Sequence, residues 1–263
     1  MENEGLIRLT VFLGLFLLLA GLERIIPKRT RRAPANGRWI TNWAIVVIDT
    51  IFLRLVAIAL PLLAVGAALN ANQNGIGLLN NVDWPIWMEW IVAILILDLA
   101  IWAQHLITHK VPFLWRLHRV HHADIDMDVT TAIRFHPLEI FLSMLLKIGL
   151  VYVLGPTAWA VILFEILLNG TAMFNHSNIA LPKPVDRALR MILVTPDMHL
   201  VHHTKNRAEH DSNYGFALSI WDRIFGTYIA EPEKGPDGMT IGLQWQNENP
   251  TKLGWSLLLP FRK

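Results

Sequence analysis

Cysteine is absent from this 263-residue chain, which excludes disulfides, thiolate zinc sites and iron–sulfur clusters. Charge is scarce as well. Only 17% of residues are charged against 53% hydrophobic, a balance more apolar than an ordinary soluble domain. The net charge of +2 is too small to indicate a nucleic-acid partner. Tyrosine occurs three times against eleven tryptophans. Many of those tryptophans stand at the ends of apolar runs, where amphipathic rings favour the headgroup level of a bilayer. G-x-G-x-x-G and H-P-G-G are both missing, so no nicotinamide, flavin or haem motif is evident. There is no low-complexity tract and no fold-level repeat.

What is present is a series of long apolar runs. Residues 6–26 form a first candidate span, read as an uncleaved membrane helix rather than a signal peptide because no small-residue cleavage site follows. A basic loop comes next, with Lys28, Arg29, Arg31, Arg32 and Arg38. Residues 39–69 are again apolar, interrupted by Asp49, Arg54 and Pro61, and the stretch 70–83 has no Lys or Arg. A third run covers 84–104. A fourth, 138–175, is broken by Gly155-Pro156, since proline disfavours one straight helix. Its halves are each under 20 residues, short for a bilayer core of about 30 Å. They read as a helical hairpin, either two tilted spans or a re-entrant pair. The remainder, 176–263, is more polar and reads as short helices, with the tail WSLLLPFRK as an interfacial anchor.

Short cytoplasmic loops carry excess Lys and Arg. The loop 28–38 is therefore expected in the cytoplasm and 70–83 outside, with the N-terminus outside. The third run then returns to the cytoplasmic face at His105. The expected fold is all-α, an integral membrane bundle with a cytoplasmic helical cap. Three regions are expected: 1–83 with two membrane helices, 84–230 with the chemistry, and a cytoplasmic tail 231–263.

The chemistry lies in the histidines, all eleven of which fall between residues 105 and 210. Eight form three clusters: His105 and His109; His118, His121 and His122; His199, His202 and His203. Imidazole is the commonest nitrogen ligand of transition metals. On a helix, H-x-x-x-H aims two rings one way, as do the outer members of H-x-x-H-H. The extra adjacent histidine points about a quarter turn aside, where it can reach a second ion. Eight rings are too many for one metal and suit two. On the topology above, every cluster reaches the cytoplasmic side, and nothing in that topology used the histidines.

The pattern H-x3-H, H-x2-H-H and a distant H-x2-H-H resembles the membrane fatty acid hydroxylase/sterol desaturase superfamily. RFHPLE at 134–139, FNHSN at 174–178, PDMHLVHH at 196–203 and DSNYGFALSIWDRIFGTY at 211–228 extend the likeness over residues 85–230. The resemblance implies a di-iron centre that uses O2 as co-substrate to hydroxylate or desaturate a C–H bond of a lipid (sterol, fatty acyl or alkyl-lipid). It implies that His105, His109, His118, His121, His122, His199, His202 and His203 are metal ligands, with His176 as a ninth. His136 recurs in the family as either a ligand or an outer residue. His210 fits no box. A redox-inert ion such as zinc cannot supply this chemistry. The missing electron-carrier motifs imply a separate donor protein: a ferredoxin, cytochrome or reductase. The basic loop with Arg116, Arg119, Lys205 and Arg207 could dock it, or could serve topology and lipid headgroups.

Several other residues are singled out. Asp98 is expected either to pair with Arg54 or to orient a histidine. Asp124, Asp197 and Asp211 flank the boxes and are candidates to hydrogen-bond the rings from behind. Asp222 and Arg223 read as a structural pair, and Tyr214 and Trp221 as core or substrate-access residues. The rival reading is a membrane metal-binding or metal-transport protein without oxygenase activity. Transport sites usually sit near the bilayer midplane, whereas these clusters fall at helix ends. Reporter fusions after residue 34, after residue 125 and at the C-terminus should all read cytoplasmic, and one near residue 75 external. A cytoplasmic signal at 75 would reverse the orientation.

Overall fold

A chain with little charge and few interior prolines has helix as its cheapest way to bury backbone polar groups in lipid. The computed structural model describes residues 3–33, 35–59, 63–246 and 249–262; Pro61 lies outside them. Among the described residues the fold is all-helical, with three isolated β-bridges and no strand. The long helices are α1 (Glu4–Ile25), α2 (Ala35–Ala59), α4 (Ile86–Lys110), α6 (Pro137–Leu154) and α7 (Ala158–His176). Each is long and apolar enough to cross a membrane. Many of their large apolar side chains, such as Leu9, Leu13 and Leu17 of α1, face outward, as expected where lipid is the solvent. Half of the apolar window of α7 is buried, against 17–22% in the others; α7 is the central helix, and α1, α3 (Ala64–Gln73) and α4 pack on it.

The apolar run 39–69 is not one element, because α2 ends at Ala59 and α3 is a separate short helix. Its Ala64, Ala67, Ala68 and Ala71 are buried against α6 and α7, small residues that let helices approach closely. The 138–175 run is two helices joined at Gly155, which has φ +67 and closes α6 in the left-handed conformation glycine favours. Gly77 packs on this turn so tightly that a Cβ there would lie 2.3 Å from the Gly155 nitrogen. Thr157 N donates to Glu89 at the start of α4. One end of the bundle is therefore built from α3, the start of α4 and the α6–α7 turn. The hairpin runs the full distance between that end and the histidine end, as α4 does.

The other end carries the cap: α5 (Pro112–His122), the loop 123–136, α8 (Lys183–Leu189), α9 (Pro196–His202) and the short helices after it. Buried ion pairs fasten it. Arg38, fully buried at the start of α2, donates to Asp124 at 2.6 and 2.8 Å and to Asp128 at 2.8 Å. Burial pushes the Asp124 carboxyl up, but Arg38 overrides this and holds it at about 2. Arg134 donates to Val120 O, Asn42 and Ser256, linking α5, α2 and the C-terminal helix Leu253–Leu258. The three regions read from the sequence share one core here, with Ile45, Val120 and Leu259 in contact.

The basic loop is spent on the same task. Lys28 pairs with Asp197 at 2.8 Å, Arg29 donates to Pro236 O and Met239 O, and Arg31 meets Glu23. Arg119 donates to Leu259 O and Arg262 O, and Arg207 faces Asp211. Lys28, Arg29 and Arg119 tie separate parts of the chain together, whereas the Arg207 pair is local to the cap. Removing one partner of a buried ion network costs about 3–5 kcal/mol. Arg38→Met should therefore lower stability by that order, read as a drop in the thermal unfolding midpoint of the detergent-solubilised protein. An unchanged midpoint would show that the network does not hold the cap.

Candidate metal centre

The helix ends bring nine histidines into one buried space. His105 and His109 lie in the last turns of α4, His118, His121 and His122 on α5, His176 ends α7, and His199, His202 and His203 come from α9. None is more than 3% exposed. They divide into two groups, each with ligand atoms within 4.8 Å of one another: His105, His109, His118, His122 and His202; and His121, His176, His199 and His203. The division follows helical geometry. The outer members of each H-x-x-H-H stay together, His118 with His122 and His199 with His203, while the inner His121 and His202 cross to the opposite group. The groups adjoin, with the His122 and His203 rings stacked at 4.6 Å.

The backs of the rings are held by acceptors. His105 Nδ1 donates to Tyr214 O at 2.8 Å, His118 Nδ1 to Glu139 at 2.6 Å, and His121 Nδ1 to Arg134 O at 3.3 Å. His176 Nδ1 donates to Ala172 O and His202 Nδ1 to Ser212 O, both at 2.7 Å. A carbonyl or carboxylate only accepts, so these Nδ1 atoms carry the proton. The neutral ring then turns a bare Nε2 inward. Burial, reinforced by neighbouring imidazoles, holds His121, His122, His199, His202 and His203 well below the usual histidine range. Burial alone takes His118 to about 3.

This leaves bare nitrogens facing one another. His105 Nε2 and His118 Nε2 are 3.0 Å apart, and His121 Nε2 and His176 Nε2 also 3.0 Å. Lone pairs at that distance repel unless a cation takes both. Nitrogens about 2.1 Å from a shared ion stand about 3.0–3.4 Å apart in octahedral or tetrahedral geometry, and His199 and His203 Nε2 lie 3.1 and 3.3 Å from His176 Nε2. Nε2 of His109, His122 and His202 is buried with no partner at all, which is costly unless a ligand is bound. The donor set fits two transition-metal cations. It is nitrogen-only, and neutral imidazole suits iron, copper, nickel or zinc.

His136 is outside both groups. Its Nδ1 accepts from Leu138 N at the start of α6, and its Nε2 meets Leu257 O at 3.2 Å, so neither nitrogen is free for a metal. It caps a helix and anchors the tail. His210 packs its ring on Trp115 beside His109 and Asp211. Of the flanking carboxylates only Asp211 approaches a ring, 3.4 Å from His109 Nδ1; Asp124 and Asp197 are bound to Arg38 and Lys28. Asp98 neither pairs with Arg54 nor reaches a histidine. It accepts from Trp221 Nε1 and Leu218 N. Asp222 is not paired with Arg223 but accepts from Trp102 Nε1, Tyr214 N and Gly215 N, fixing the turn that supplies Tyr214 O to His105. Tyr214 is fully buried among the rings. Glu139 escaped the sequence reading. The available signal was a carboxylate in the first turn of an apolar helix, where a charge has to find a partner.

A cavity of about 420 Å³ opens beside the first group, between α1, α2, α4, α6 and α7. His105, His118 and Glu139 form its wall at the histidine end, and Phe12, Val46, Leu53 and Leu168 are among its apolar lining. The volume is within the range of about 300–1,000 Å³ common for ligand pockets.

Residues 90–227 match the fatty acid hydroxylase family. Human alkylglycerol monooxygenase is 36% identical over 165 residues, 61% of this chain and 35% of that protein. Ornithine lipid hydroxylase OlsE of Rhizobium tropici is 30% identical over 166 residues, 61% of this chain and 47% of that protein. Rat cholesterol 25-hydroxylase is 23% identical over 145 residues, 54% of this chain and 47% of its own length. The chain thus spans about a third to a half of these relatives. No solved structure matches it.

Elemental analysis should find about two metal ions per chain. His176→Ala removes the nitrogen on which the second group converges and should lower the content to about one, whereas His136→Gln should retain both. Full retention in His176→Ala, or loss in His136→Gln, would contradict this division.

Proposed function

The chain belongs to the fatty acid hydroxylase family, and from that premise we propose that it is a membrane-bound di-iron oxygenase that hydroxylates a C–H bond of a lipid with O2 and electrons from a separate donor protein. The observation that carries the reading is the meeting of two features, paired bare imidazoles at one end of an apolar cavity inside a membrane bundle. The activities named for the relatives, a monooxygenase and two hydroxylases acting on lipids, favour hydroxylation over desaturation.

Iron bound by the nine imidazoles would supply the O2 activation that an unactivated C–H bond requires. The chain's own residues do the rest. Tyr214 O, Glu139, Arg134 O, Ala172 O and Ser212 O fix the tautomers, so that Nε2 is the free atom on five of the rings. Such outer hydrogen bonds orient ligands and raise their basicity. Phe135 stacks on His121 at 4.4 Å and, with Phe216, adds apolar surface to the cavity wall near the rings. The cavity aligns an alkyl chain along the bundle with one carbon at His105 and His118. The lipid's polar end can then remain near the cap, which the Lys/Arg asymmetry assigns to the cytoplasmic side, where a reduced donor is available. A metal-transport role is disfavoured, because the rings sit at the helix ends and not at the midplane.

Membranes containing the protein, a reductant system and 18O2 should place label in a lipid hydroxyl. Turnover without oxygen, or release of a hydrolysed headgroup, would instead show metal-assisted hydrolysis.

A further inference from the structure

One carboxyl group in the cavity has a buried oxygen with no hydrogen-bond partner among the described residues. Asp49 stands in the middle of α2, 5% exposed, with its Oδ1 buried and unbonded. Glu23, Asp98 and Glu165, also buried in the long helices, each have hydrogen-bond donors, although Asp98 Oδ1 is itself unbonded. Glu23 accepts from Val129 N and Asn178 N, Asp98 from Trp221 and Leu218 N, and Glu165 from Lys147 and Arg8. Asp49 lines the same cavity as His105, His118 and Glu139. Glu139 on the same cavity wall has its Oε2 also buried without a hydrogen-bond partner, while Oε1 holds His118. An edge-on contact between Phe52 and Phe141, with ring centroids 6.0 Å apart, sets α2 against α6 at this level.

A carboxyl group buried in a membrane bundle without a partner is costly and is retained where it serves a function. The cavity thus offers two unsatisfied acceptors. The cations of its far end, Lys147 and Arg8, are already engaged by Glu165. The remaining lining is largely apolar. An acceptor pair calls for a hydrogen-bond donor, and the apolar lining calls for an alkyl chain attached to it. Asp49 lies outside the matched span 90–227, so it belongs to this chain's own N-terminal region.

We propose that Asp49, in the same cavity as Glu139 Oε2, is a recognition subsite for a hydrogen-bond donor on the substrate: a hydroxyl or an ammonium on an alkyl chain, close to the carbon presented to His105 and His118. The substrate class is then an alkyl lipid with a free donor near its site of oxidation. This rests on the lipid-hydroxylase reading above.

The test is equilibrium binding to the purified full chain in nanodiscs without oxygen, so that no turnover intervenes. The probes are 1-O-hexadecylglycerol and its di-O-methyl ether, and hexadecylamine and its trimethylammonium counterpart. The wild type should bind an uncapped lipid about tenfold or more tightly than its capped form, because a site built for a donor rejects the analogue lacking it. Preference within the first pair identifies a hydroxyl, and within the second an ammonium. Asp49→Leu and Asp49→Ala should erase the preference while binding the capped lipid as the wild type does, which also shows that they fold. Equal binding of capped and uncapped forms by the wild type overturns the subsite and leaves the lipid-hydroxylase reading standing, as does a preference that survives both substitutions. Failure of all four lipids to bind overturns that reading and the subsite together.

Discussion

The structure turns on the placing of neutral imidazole nitrogens against one another. At 3.0 Å, with the Nδ1 atoms committed to carbonyl and carboxylate acceptors, His105 faces His118 and His121 faces His176. That arrangement is repulsive unless cations complete it. It therefore has to be imposed by the surrounding fold, and much of the fold can be read as the means of imposing it. The ends of α4 and α7 fix three of the rings, α5 and α9 bring six more, and the carbonyls behind them come from loops that must themselves be held.

The holding is electrostatic where the core is thin. The cap buries Arg38 and Arg134 completely, and each is saturated by carboxylates, amides or carbonyls. Such networks add little net stability over an apolar core. What they provide is registry, because each charge has only one place where it is satisfied. Lys28, Arg29 and Arg31 extend the same function, tying the α1–α2 loop to α9 and to the segment before residue 240. Among the basic residues that look like a docking face in the sequence, Lys28, Arg29, Arg31, Arg38 and Arg119 are structural clasps in the fold.

The cavity gives the other half of the chemistry. It lies within the bundle, between α1, α2, α4, α6 and α7, with His105 and His118 in its wall. Two of its buried acceptors, Asp49 Oδ1 and Glu139 Oε2, have no hydrogen-bond partner among the described residues. A membrane protein that needs to orient an amphipathic chain has only such few polar groups with which to do it, since every one of them costs free energy in the absence of ligand.

Much of this was legible in the sequence. Apolar runs and the poverty of charge determine an all-helical membrane bundle, because a spanning chain has to satisfy its own backbone. Helical periodicity also determines the division within each H-x-x-H-H, since residues four apart share a face and the third does not. The sequence could not say which partners the charges choose. Asp98 takes Trp221 rather than Arg54, Asp124 and Asp197 take cations rather than rings, and His136 spends both nitrogens on backbone. Those outcomes are set by contacts between residues tens to hundreds of positions apart, where proximity depends on how helices dock. The same holds for Glu139 behind His118 and for Asp49 in the cavity. Their roles follow from which groups are left unsatisfied once the tertiary structure has closed, and no local pattern records that.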